Sequence, residues 1–335
     1  MIHDHDAELH QPDPTKPEWA ETNYFGFFNA EEKLNIGVYA LFRTNLGVVN
    51  STITLNSRNV VAPWQAEYVD WHAALPFPES RSLLDYRLKN GLSVRCTKPN
   101  QNWDIQFDDR EGTTIDVSFE ALMPPFDIHD PQMDPMAAAA LKGQEDGKFA
   151  WGQAYASHFD MTGHVRGEVN LRGRRIPIDC VSTMDHSWGP RAERGNPTMA
   201  WMHAHFSRDL AVHVIFGFDP ADPTGALTLK HGYVMDKGQA YGLKAGSGTT
   251  QRSIEFYPDR IQIQVEDVRG KSWTLLGRAL TAFPWQCYAN TVGYNSLIEW
   301  QMNGLTGHGE TMDFIEYAQL GRLNGNPATA KILQV

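Results

Sequence analysis

The chain has 335 residues, 41% of them apolar, with 40 acids against 29 bases and a formal net charge of −11. That length suits two ordinary domains or one large one with a sizeable core. The acidic balance argues against nucleic acid or an anionic lipid surface as partner, since phosphate is repelled unless the bases cluster. No window approaches the ~18 uncharged apolar residues of a membrane-spanning helix, so no membrane insertion is expected.

Residues 1–20 (MIHDHDAELHQPDPTKPEWA) carry acids, histidines and prolines where a secretory signal needs a basic start and an apolar run. They are expected as a flexible tail of a cytoplasmic protein, and His3, His5 and His10 are assigned no role. Residues 21–125 are expected as a first β-domain. Residues 36–42, 52–55, 92–96, 103–107 and 115–119 alternate apolar and polar over short stretches punctuated by Gly, Asn and Asp, the pattern of antiparallel strands with one buried face. Residues 126–150 differ in character, being rich in proline, acids and small residues, and are expected as an inter-domain connection. They hold the best helical signal, 134–142, where Asp134 can cap and Pro135 occupies the first turn.

Residues 151–335 are expected as a second β-domain, with alternation at 165–169, 211–215 and 261–265. The run Arg172-Gly173-Arg174-Arg175 reads as a hairpin tip. Segments 107–122 and 265–280 align without gaps through Asp109/Asp267, Gly112/Gly270, Ala121/Ala279 and Leu122/Leu280, which suggests a duplication. The three cysteines, Cys96, Cys180 and Cys287, are scattered and odd in number, so they are expected as apolar filler and not as disulfides or a thiolate metal site. The fold class is therefore all-β with little helix, and two antiparallel domains of this size are sandwiches or barrels.

Three stretches carry candidate chemistry. Residues 184–191 (MDHSWGPR) place an acid, an imidazole, a hydroxyl, an indole and a guanidinium together. In an extended strand Asp185 and Ser187 share one face, with His186 and Trp188 on the other. Such a grouping can transfer protons and stabilise charge, while the plainer reading is a turn whose Asp185 accepts backbone N–H groups and whose Arg191 pairs with an acid. Residues 201–213 put His203 and His205 on one strand face with His213 returning opposite, a plausible metal face, although pocket-lining or core histidines would look the same. Residues 294–310 hold Tyr294, Glu299 and Glu310. Here Gly304, Gly307 and Gly309 allow close approach, and an acid in an apolar strand needs a partner or a raised pKa. A salt bridge from Glu299 to Arg191 or Arg278 is the competing account. No G-x-S-x-G, P-loop or dinucleotide-binding G-x-G-x-x-G occurs.

Asp185-His186-Ser187-Trp188-Gly189-Pro190-Arg191, with the preceding stretch 158–178, the later Gly307-His-Gly-Glu310 and the N-terminal 23–28 (NYFGFF), resembles the AttH-like group related to carotenoid 1,2-hydratase. The resemblance implies two consecutive lipocalin-like β-barrels with a pocket near their junction, and hydratase, dehydratase, isomerase or cyclase chemistry on apolar substrates without organic cofactors. It carries Asp185, His186, Trp188, Arg191 and Glu310 over as shared positions. The histidine face at His203, His205 and His213 departs from the family pattern.

The function expected from these readings is a cofactor-independent lyase, a hydratase or dehydratase, working by general acid–base catalysis on an apolar terpenoid-, steroid- or phenol-like molecule. Asp185, His186, Glu310 and Arg191 are the candidate catalytic residues. Trp188, Trp201, Tyr294, Glu299, His203 and His205 are the candidate substrate contacts. No metal site is assigned. The alternatives are a non-catalytic carrier of an apolar ligand and a metal-dependent enzyme using His203, His205 and His213. The expected partner is an apolar small molecule, and a homodimer is left open.

Overall fold

A computed structural model of the chain describes residues 1–143 and 157–325. The chain runs through β1 (Trp19–Asn29), β2 (Leu34–Arg43), β3 (Val48–Asn56), β4 (Tyr68–Pro76), β5 (Asp85–Arg87), β6 (Ser93–Lys98), β7 (Asn102–Asp108), β8 (Thr113–Ala121), β9 (Phe126–Asp127) and α1 (Pro135–Gly143). It continues as β10 (Ser157–Leu171), β11 (Arg174–Pro190), β12 (Met199–Ser207), β13 (Leu210–Phe218), β14 (Ala226–Asp236), β15 (Gln239–Arg252), β16 (Pro258–Asp267), β17 (Ser272–Ala279), β18 (Phe283–Tyr288), β19 (Thr291–Met302), β20 (Leu305–Glu316) and α2 (Tyr317–Gly325). The all-β expectation holds.

Two sheets result, both antiparallel. The first has the order β4-β3-β2-β1-β11-β10-β8-β7-β6-β5, with β9 beside β10, and curls into an open half-barrel. The second, β17-β16-β15-β14-β13-β12-β20-β19, closes into an eight-stranded barrel through the β17–β19 pairing, and β18 lies against the other end of β19. Among the described residues no helix is long and apolar enough to cross a membrane.

The alternation seen in the sequence sets both cores. On β12 and β13 the even residues Met202, Ala204, Val212, Val214 and Phe216 fill the closed barrel with Trp273 and Trp300, so its interior is packed and not a ligand cavity. On β1 and β2 Phe25, Phe27, Val38, Ala40 and Phe42 fill the half-barrel. The opposite faces meet each other: Ala20, Tyr24, Tyr39 and Leu41 pack on Met199, Trp201, Ile215, Phe283, Trp285 and Met312.

The division at 150/151 requires correction. Strands β10 and β11 pair with β8 and β1, so residues 157–190 complete the first sheet and the crossover to the second lies between Pro190 and Met199. The described part of the proline-rich stretch, up to Gly143, contributes β9 to this same sheet beside β10, a placement that composition cannot give. The first 20 residues are likewise not a free tail. The backbone N–H of His10 donates to Glu21 (2.8 Å), its ring stacks on Trp188 at 3.7 Å, and Trp19 and Ala20 already belong to β1.

Local signals behave as their chemistry requires. Arg172 and Gly173 both take positive φ (+51° and +90°), the two-residue turn that matches hairpin twist, between the paired Leu171 and Arg174. Asp134 Oδ1 accepts the N–H of Met136 (3.0 Å) at the start of α1. The aligned segments share one turn. Asp109 Oδ1 accepts from the N–H groups of Glu111 and Thr113 (2.6 and 2.9 Å), and Asp267 Oδ1 from those of Arg269 and Lys271 (2.9 and 3.3 Å).

Candidate functional site

The register of four neighbouring strands gathers polar groups on the first sheet's inter-sheet face. Tyr24 pairs with both Tyr39 and Asp185, Thr22 with Ser187, and on β10 Asp160 pairs with Asp185 and His158 with Ser187. Thr22, Tyr24, Tyr39, His158, Asp185 and Ser187 line a cavity whose opposite wall is Met199, Trp201, Ile215, Trp285, Tyr288, Met312 and Phe314, with Ile128 at one side. The cavity lies at the junction of the two sheets, walled mainly by apolar and aromatic side chains.

Asp185 is its acid. Although 18% of this side chain stays exposed at the cavity wall, burial dominates and pushes its carboxyl up to about 7, against the pull of His158 and Arg191. His158 Nδ1 is 3.6 Å from Asp185 Oδ2, and His158 Nε2 is 2.9 Å from Asp160 Oδ2. Burial works against a charge on His158, but Asp160 outweighs it and holds the imidazole above its ordinary pKa. Asp160 also accepts from Trp201 Nε1 (3.0 Å), and His213 Nε2 lies 3.0 Å from its other oxygen. Despite burial, these histidines hold Asp160 well below the usual carboxylate range.

Glu310 stands one layer back. Its carboxylate is fully buried, accepts from the Tyr24 hydroxyl (2.9 and 3.1 Å) and from Asn295 Nδ2 (3.2 Å), and is raised to about 7 by burial. It reaches the cavity wall through Tyr24. A Cβ on Gly26 would fall 2.0 Å from Glu310 Oε2, so the missing side chain is what lets β20 bring this acid against β1. Arg191 is buried, donates to Ser187 Oγ and to the Tyr288 hydroxyl (3.4 Å), and so braces two lining residues. Burial raises the Tyr39 and Tyr288 hydroxyls, so both stay neutral donors.

The other residues singled out from the sequence, Trp201 excepted, are placed elsewhere. His186 and Trp188 do face opposite to Asp185 and Ser187, into the half-barrel: His186 Nδ1 lies 2.7 Å from Thr22 O, and burial drives its pKa down to about 3. Neither touches the cavity. Glu299 pairs with Arg278 (3.2 Å) near the surface, and Tyr294 packs against Tyr257. Trp201 is a lining residue. His203, His205 and His213 share the barrel's inter-sheet face, yet each has its own partner: Glu310 (3.6 Å), Thr183 (2.9 Å) and Asp160. Their nitrogens do not converge as a set, since among the described residues the clusters able to hold an ion are Asp160, His213, His231 and His10, Glu21, His186. Gly307 and Gly309 serve backbone approach, a Cβ on them falling 2.3 and 2.0 Å from the carbonyls of His205 and His203.

Sequence reasoning misses His158, Asp160, Tyr24, Tyr39, Trp285 and Tyr288. A signal existed for the first two: His158 and Asp160 alternate on the strand immediately before the motif strand, so they fall on one face.

The fold matches solved structures over nearly its whole length. Kievitone hydratase from Nectria haematococca superposes with a TM-score of 0.53 at 11% identity, covering 95% of this chain and 93% of that one. A protein called AttH from Nitrosomonas europaea gives 0.58 at 13%, covering 92% and 97%. CghA gives 0.54 at 11%, covering 90% and 88%. These neighbours are AttH-like, in line with the motif resemblance, and identities this low carry the fold alone. No curated protein sequence matches the chain. Residues 3–320 match the model of one family, and the chain therefore belongs to the family described as Domain of unknown function (DUF7064).

Proposed function

We propose that the chain is an acid–base lyase that adds water to, or removes it from, an apolar alkene- or phenol-like molecule held between the sheets. The observation that carries this reading is a carboxyl raised to about 7 in an aromatic-walled cavity, beside an imidazole anchored by a second carboxylate. A group poised near neutral pH is the most effective general acid there.

In hydration the Asp185 carboxyl gives its proton to one alkene carbon, and the aromatic faces of Trp201 and Trp285 stabilise the carbocation, each by roughly 0.5–2 kcal/mol. The protonated His158 stabilises the Asp185 carboxylate left behind. Water then adds to the cation, and its surplus proton returns to Asp185. Dehydration runs the same steps backward. One positioned acid supplies about 10²- to 10⁴-fold in rate. Arg191, Tyr39, Tyr288 and, through Tyr24, Glu310 position the wall and any substrate hydroxyl. That kievitone hydratase shares the fold supports hydration as the reaction class.

The test is incubation of the purified chain with a panel of prenylated phenols and terpenoid alkenes in ¹⁸O-labelled water, read by mass spectrometry, with binding followed by tryptophan fluorescence. Labelled product from the parent protein, lost in Asp185→Asn with binding retained, is expected. Ligands that bind and are returned unchanged would replace this reading with that of a carrier.

A further inference from the structure

The half of the motif that faces away from the cavity forms a second cluster. His186 Nδ1 lies 2.7 Å from the carbonyl oxygen of Thr22, so that nitrogen carries the proton and donates. Its Nε2 therefore holds a lone pair. This atom is buried, has no hydrogen-bond partner, and lies 3.8 Å from Glu21 Oε2, itself an acceptor. Glu21 Oε2 has a partner in His10, but the His186 lone pair facing it stays unsatisfied unless a cation or proton stands between the two. His10 completes the group from the N-terminal segment, with Nδ1 3.0 Å from the same Glu21 oxygen and Nε2 3.2 Å from Asp6 Oδ1.

We propose that His10 Nδ1, His186 Nε2 and Glu21 Oε2 bind one divalent transition-metal ion of the Zn²⁺ class, which clamps the N-terminal segment onto the motif strand at the end of the half-barrel. Glu21 Oε2 lies 3.0 Å from His10 Nδ1 and 3.8 Å from His186 Nε2, each of the three residues offers a ligand atom within 4.8 Å of the others', and ligands about 2.0–2.2 Å from a shared ion need only a small inward movement. Two imidazoles and one carboxylate are a recurring ligand set for such ions.

The surroundings fit the same reading. A metal-bound imidazole characteristically donates its other N–H to a carbonyl or carboxylate. His186 does so to Thr22, and with Nδ1 on the metal His10 would do so to Asp6. Trp188 stacks flat on His10 (3.7 Å between ring centres, 11° between planes) and fixes its ring. His10 keeps 19% of its side chain exposed, which gives an ion a way in. A bridging His10 imidazolium between Asp6 and Glu21 is the metal-free alternative, but it leaves the His186 lone pair without a partner.

The experiment uses the untagged full chain, stripped with chelator and titrated with Co²⁺ at neutral pH. Visible absorption saturating at one equivalent, displaced by Zn²⁺, and a thermal midpoint raised by Zn²⁺ are expected. His10→Phe, which keeps the stacking ring, and Glu21→Gln should each abolish both signals. Asp6→Asn should weaken binding about 10- to 100-fold, as loss of an outer hydrogen-bond partner does. Circular dichroism establishes which variants fold, and any one folded variant suffices. Absence of stoichiometric binding, or binding that survives His10→Phe and is lost in His231→Gln at the other cluster, overturns the proposal.

Discussion

Nδ1 of His158 lies 3.6 Å from Oδ2 of Asp185, on neighbouring strands of one sheet. The other nitrogen of that ring is held at 2.9 Å by Asp160, so a charged imidazole stands beside an acid whose burial favours the neutral form. The two effects oppose each other at Asp185, and burial prevails. Both the stability of the site and the proposed proton transfer depend on that balance.

Asp185 titrates higher in the folded protein than in the unfolded chain, from 3.8 to about 7. A raised carboxyl takes up protons on folding, so it supports the fold fully at low pH and loses that support as pH rises from about 4 to about 7. Asp185→Asn should therefore gain stability relative to the parent across that interval and hold a constant advantage above it. Paired urea melts at pH 4.5, 6 and 8 measure this, and a flat difference would contradict the placement of the acid.

Asp160 behaves in the opposite sense. Its carboxylate lies below the usual range because His158 and His213 oppose the effect of burial. Asp160→Asn removes one partner of a buried charged group and should cost about 3–5 kcal/mol. Should the variant stay folded, His158 loses the charge that raises it, and turnover by the Asp185 acid should change its pH profile as well as its rate.

Tyr24→Phe removes the hydroxyl that donates to both oxygens of Glu310. A buried acceptor left short of a donor costs about 1–3 kcal/mol. Glu310→Gln keeps an acceptor for Tyr24 and should be the milder change at pH 8, where the parent carboxyl, at about 7, is mostly charged. Thermal melts of both variants at pH 8 give the ranking.

Two glycines should respond oppositely to alanine. A Cβ at Gly309 would lie 2.0 Å from the backbone oxygen of His203, so Gly309→Ala must push β20 from β12 and should cost about 1–3 kcal/mol. Gly321 sits within α2, and an added methyl there would meet no heavy atom within 4 Å, so Gly321→Ala should stabilise by roughly 0.5–1 kcal/mol through helix propensity. Denaturant midpoints decide both signs.

Much of this architecture is legible in the sequence because period-two alternation is a local property. It marks the strands, the 172–173 tip and the Asp109 and Asp267 turns, and it puts Asp185 and Ser187 on one face with His186 and Trp188 on the other. What alternation cannot say is what each face meets. Adjacency groups His186 with Asp185, whereas strand geometry sends it into the half-barrel. His158 and Asp160 acquire meaning only beside Trp201, His213 and Asp185, groups 25 to 53 positions later that pairing and sheet packing bring together. The placement of β10 and β11 in the first sheet is likewise a matter of long-range pairing with β8 and β1.

Strand β11 serves as a party wall with different tenants on its two sides. Because side chains alternate strictly, a slip of one residue against β1 would turn His186 toward the inter-sheet cavity and Asp185 toward Glu21 and His10. Fidelity of strand alignment is thus a condition of the proposed chemistry as well as of folding. An insertion of a single residue within 185–188 should abolish the proposed activity even though every side chain survives.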